Sequence, residues 1–122
     1  MTSVVLGVAL ALATVGLSRL LPISQTRRLF AVLLGAAAGV YVGAAISAAG
    51  SPLTVQVAGF AAFGSMAILK SPWVLGAAWF IHGGWDLLHL LEVIPTTLPE
   101  SYQLACLAAD LVWGVLLLRL PA

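Results

Sequence analysis

Hydrophobic residues in this chain fall into runs of about twenty, separated by short polar breaks, and runs of that length predict helices able to cross a bilayer. The first run covers residues 3–21 and stops at Pro22, whose ring blocks helix continuation. Ile23, Ser24, Gln25, Thr26, Arg27 and Arg28 are the most polar stretch and read as a linker into a second run, 29–49. Gly50 fits a C-terminal cap, and Ser51-Pro52 supplies an N-cap with proline at the first helical position for a third run, 53–69. Ser71-Pro72 repeats that signal after Lys70, and a fourth run spans 73–91. A loop from Glu92 to Glu100, holding Pro95 and Pro99, precedes a fifth run at 101–120. The predicted fold is all-α: one transmembrane helical bundle of five spans, residues 1–122, with no soluble appendage.

Charge gives the bundle a direction. No basic residue precedes Arg19, so the first run reads as a retained span rather than a cleaved signal. With five spans and the N-terminus outside, Arg19, Arg27, Arg28, Lys70 and Arg119 all fall on the cytoplasmic side, and Glu92 and Glu100 fall opposite. Omitting the third span would divide the same cations between both sides. Composition agrees, with 62% hydrophobic and 7% charged residues where soluble domains carry roughly 25% charged. Five basic and four acidic residues are too few and too scattered for a nucleic-acid surface. The expected partner is the lipid bilayer, and the expected location is a bacterial inner (plasma) membrane. Gly35, Gly39 and Gly43 recur every four residues, with Ala31, Ala36 and Ala44 nearby, and offer a face for close helix approach within the chain or between copies. Nearly every helix of so small a bundle touches lipid, so a homo-oligomer or a subunit of a membrane complex is expected.

The chemistry concentrates in the fourth run. His82, Asp86 and His89 stand at i, i+4 and i+7, on one helix face, flanked by Trp79 and Trp85, with Gly83 and Gly84 thinning the opposite side. Tyr102, Cys106 and Asp110 share a face of the fifth run in the same way. Folded as an antiparallel hairpin, these two runs set His82 level with Asp110, Asp86 with Cys106, and His89 with Gln103. Tyr41 and Gln56 lie in the same outer half, which predicts a water-accessible pocket opening outward. Ionisable groups at that depth are costly and mark either a pairing or a chemical role. His82, Asp86, His89, Asp110 and Cys106 are therefore candidate metal ligands, with Trp85, Tyr102, Gln103 and Tyr41 as supporting residues, and a transition metal ion is the cofactor that these donors suit.

His82 and His89 are separated by about 10 Å along a helix, too far to share one ion comfortably. Two donor sets are thus open: His82, Asp86 and Asp110, or Asp86, His89 and Cys106. Three functional readings compete. The cluster is a metal or cofactor site in a redox or accessory membrane subunit, a relay of titratable groups conducting protons or ions, or a hydrogen-bonded lock fastening the hairpin. The glycine loops, serine elbows and HExxH helices of known hydrolytic and nucleotide-binding templates do not occur here.

His82-Gly83-Gly84-Trp85-Asp86-Leu87-Leu88-His89, with Cys106 and Asp110 in the last run, resembles a group of small bacterial integral membrane proteins with an H-x-x-W-D-x-x-H core. The resemblance covers about the last fifty residues. It implies that the motif and Asp110 belong together and brings no activity with it.

Overall fold

The computed structural model describes residues 1–48, 52–69 and 71–121. These residues form five helices and no strand: α1 (Thr2–Ser18), α2 (Ile23–Ser47), α3 (Leu53–Ile68), α4 (Pro72–Leu90) and α5 (Glu100–Leu118). Each of the five hydrophobic runs is a helix. Among the described residues, α2 and α5 are long and apolar enough to cross a membrane, while α1 and α3 are shorter apolar helices. α4, as long as α5, is in neither group.

The polar stretch 23–28 is not a linker. α2 begins at Ile23, because Pro22 has the extended conformation of an N-cap and its carbonyl accepts the Gln25 and Thr26 amides. Gln and Arg are good helix formers, so the polar residues extend the helix by more than one turn. α1 and α2 are joined by a tight turn that Thr26 closes by donating its hydroxyl to the Ser18 carbonyl, 3.1 Å away. At α4 the expected cap is seen, with Ser71 at the N-cap and Pro72 in the first turn. At α3 the N-cap is Pro52, one residue later than expected, while Ala49, Gly50, Ser51 and Lys70 lie outside the described residues. α4 ends in a Schellman turn: the Glu92 amide bonds to the His89 carbonyl, the Val93 amide bonds to the Leu88 carbonyl, and Glu92 takes φ +56°.

The helices run up and down. α4 and α5 form a hairpin, α1 packs on α5, α2 packs on α3, and α2 and α3 both lean on α4. The four arginines gather at one end, where Arg27 donates to the Pro121 carbonyl from 94 residues away in sequence. Glu92 and Glu100 meet at the other end. Toward the basic end the interior is apolar, filled by Phe30, Leu34, Leu75, Trp79, Trp113 and Leu117, with the Trp79 and Trp113 rings edge to face at 4.7 Å.

Glycine sets the helix contacts, though not at the expected stripe. Gly35 and Gly43 have no side chain near them, and Gly39 meets only the Phe60 ring. The close approaches are elsewhere. Gly7 lies against the Ala105 carbonyl, so that a Cβ there would collide with backbone, and a Cβ on Gly59 would stand 2.7 Å from the Trp85 ring. Gly83 faces α5 rather than an open side, 3.5 Å from the Asp110 Cβ by the same measure, whereas Gly84 has open space around it.

Polarity is reversed relative to a water-soluble bundle. Gln56, His82, Asp86, His89, Gln103 and Asp110 are buried, while Val32 (69% exposed), Ile46 (71%) and Ile68 (75%) stand outside.

Candidate metal centre

α4 places His82, Asp86 and His89 on its buried face, and three other helices bring partners to that face. α5 contributes Asp110, whose Oδ2 accepts from His82 Nδ1 at 2.8 Å. α2 contributes Tyr41, whose hydroxyl donates to Asp86 Oδ1 at 2.5 Å. α3 contributes Gln56, whose amide nitrogen lies 2.8 Å from His89 Nε2. The polar side chains therefore form one connected seam through the middle of the bundle.

The two histidines are held differently. His89 Nδ1 lies 2.7 Å from the Trp85 carbonyl, which can only accept, so Nδ1 carries the proton and Nε2 accepts from Gln56. Both of its nitrogens are engaged. Its ring also stacks on Tyr41, with centroids 4.1 Å apart, and takes the edge of Trp85 at 5.4 Å. His82 has one nitrogen engaged: Nδ1 serves Asp110, and Nε2 is buried without a hydrogen-bond partner among the described residues. The edges of Phe63 and Trp79 approach the His82 ring at 5.0 and 6.0 Å.

Asp86 is the unbalanced member. Its side chain is fully buried, and Oδ2 has no hydrogen-bond partner among the described residues but faces His82 Nδ1 from 3.8 Å. One donor atom each from His82, Asp86 and Asp110 lies within 4.8 Å of the others, with all three residues buried. Donors around one ion at the usual ~2.1 Å bond length stand roughly 3–3.5 Å apart. An ion held by all three would take the place of the His82–Asp110 hydrogen bond and need the donors to draw closer.

Of the five candidate ligands, the structure brings together His82, Asp86 and Asp110. His89 is turned toward Gln56, and Cys106, a free half-buried thiol, stands outside the trio. Tyr41 holds Asp86, Trp85 packs against His89 and Gly59, and Tyr102 is half-buried on α5. Gln103 donates to the Leu98 carbonyl at 2.8 Å and leaves Oε1 unpartnered. Phe63 is a contact that the sequence did not signal, because one phenylalanine in an apolar run carries no pattern.

Two cavities approach the seam. A polar one of about 410 Å³ at the acidic end is lined by His89, Glu92, Thr96, Glu100 and Gln103, and no member of the trio lines it. The other, of about 370 Å³, is an apolar groove between α1, α2 and α5, and Asp110, Cys106 and Tyr102 line it.

Comparison with known proteins gives one match. A model described as a family of unknown function covers residues 2–120. No curated protein and no solved structure matches the chain.

Proposed function

The chain belongs to DUF6010, a family of unknown function, and we propose that it is a membrane protein whose His82, Asp86 and Asp110 bind a divalent transition metal ion. The observation that carries this reading is the buried, unpartnered Oδ2 of Asp86 facing the His82–Asp110 pair. An unsatisfied carboxylate oxygen away from water is costly. Two carboxylates and a neutral imidazole around one divalent cation sum to zero charge, which removes that cost. One nitrogen and two carboxylate donors, with the thiol of Cys106 outside, suit Mn²⁺, Fe²⁺ or Zn²⁺ better than a soft Cu⁺. The H-x-x-W-D-x-x-H segment supplies two of the three ligands, and a bound Fe or Mn would fit a redox or accessory role in a membrane assembly.

The membrane part of the proposal is five spans with the N-terminus outside. It is supported by the apolar exterior and by Arg19, Arg27, Arg28 and Arg119 lying at one end with Glu92 and Glu100 at the other. Lys70 lies outside the described residues. A transmembrane relay fits less well, because the polar seam stops at the Trp79, Trp113 and Phe30 layer. A structural lock is favoured by one feature, the 2.8 Å His82–Asp110 hydrogen bond, which forms without an ion.

Elemental analysis of protein purified in mild detergent without chelator separates the two. A metal centre gives near-stoichiometric metal in the wild type and loses it in Asp86→Ala. A wild type that stays empty after incubation with Mn²⁺, Fe²⁺ and Zn²⁺ refutes the metal reading and leaves the lock.

A further inference from the structure

The groove between α1, α2 and α5 is open to the flank of the bundle, and its bottom reaches the candidate metal centre. Its walls hold Leu10 and Val40, 59% and 38% exposed, while Ala109 and Asp110 at its base are 2% and 1% exposed. α1 is held onto α5 by the Gly7–Ala105 contact and α2 packs on α3, so the space between α1 and α2 stays unfilled beside the small side chains of Ala36 and Ala37. Its volume falls in the range of small-ligand sites.

We propose that this groove admits a neutral single-chain amphiphile from the lipid phase and sets its hydroxyl head on Asp110. The inference rests on the metal reading and names the class of ligand that reaches that centre. Two observations carry it. The outward-facing polar cavity ends at His89 and Gln103, whereas the groove includes Asp110, a member of the trio itself. Among the described residues the groove is lined by polar groups of Asp110, Tyr102, Cys106 and the indole of Trp113, with no Lys, Arg or His, so an anionic head would meet a carboxylate and no counter-charge. A cationic head has no net charge to meet once two carboxylates are balanced by a divalent ion. A hydroxyl suits what remains: it donates to the carboxylate and accepts from the phenol or thiol. Apolar walls take the chain, but a chain that moves from a bilayer into the groove leaves no water behind, so the head supplies the selectivity.

The test uses the full chain in phosphatidylcholine nanodiscs and a hexadecanol probe carrying a photoreactive diazirine, with labelled residues mapped by mass spectrometry and metal content measured on the same samples. The proposal expects labelling concentrated on α1, α2 and α5 around the groove. Unlabelled hexadecanol should compete at a concentration at least tenfold below that needed for hexadecanoic acid or hexadecylamine. Ala37→Trp, which fills the groove away from the metal ligands, should lower labelling at least tenfold while metal stays bound; Val40→Trp at the rim is the second blocking variant. Labelling spread evenly over all lipid-facing helices overturns the proposal. So does equal competition by the acid or the amine, or labelling unchanged in both Trp variants. The two readings fail separately: metal bound without groove labelling removes only the groove ligand, and specific groove labelling on metal-free protein removes only the metal.

Discussion

Glu92 occupies a backbone conformation that glycine normally takes. Its φ of +56° completes the Schellman turn at the end of α4, and a side chain there costs roughly 1 kcal/mol against glycine. Glu92→Gly should therefore raise stability by up to about 1 kcal/mol, read from unfolding in mixed detergent micelles. Strained positions of this kind cluster at functional sites, and Glu92 lines the polar cavity beside His89 and Gln103. Other residues of the site differ in how far they could be read beforehand. The His82–Asp110 pair was legible, because helices of a hairpin match depth by residue number. The partner of His89 was not: Gln56 lies on α3, and no spacing ties it to α4. The same hairpin arithmetic set Asp86 beside Cys106, yet Asp86 turns to Tyr41 on α2, since a helix face can meet two neighbours and depth does not choose between them.

Helices as units were legible from hydrophobic runs alone, and their ends were less so. A polar segment in a mainly apolar chain looks like a break, but helix formation depends on backbone propensity, and Gln25, Arg27 and Arg28 favour it. α2 accordingly starts at Ile23 instead of residue 29. Packing faces were the harder part. The regular glycine stripe on α2 is uncrowded within the chain, whereas the isolated Gly7 and Gly59 carry tight contacts that no repeat announces. α1 holds to α5 through the first of these. Gly7→Ala should cost about 1–3 kcal/mol by driving a methyl group into the Ala105 carbonyl. Gly35→Ala, placed where nothing lies within 4 Å, should cost far less, and thermal unfolding of the two variants side by side checks the contrast.

The whole molecule is arranged as membrane proteins are, with apolar side chains outward and a polar seam inside. If the five helices cross the bilayer in succession, the two ends of the bundle face opposite compartments. Gln25→Cys and Thr97→Cys, each in a Cys106→Ala background, should then react with an impermeant maleimide from opposite sides of sealed vesicles, and reaction from the same side would refute the five-span topology. Both positions are exposed. The seam also bears on how such a chain is made. On the five-span reading α4 would bring two histidines and an aspartate into the bilayer, and its partners come from both directions along the sequence: Tyr41 and Gln56 are synthesised before it, and Asp110 after it. A chain completed only through α4 would then present His82 for insertion before its partner Asp110 exists. Nine residues join α4 to α5, a connection short enough for the two to enter a membrane as one hairpin on the five-span reading, with Asp110 on α5 closing the seam.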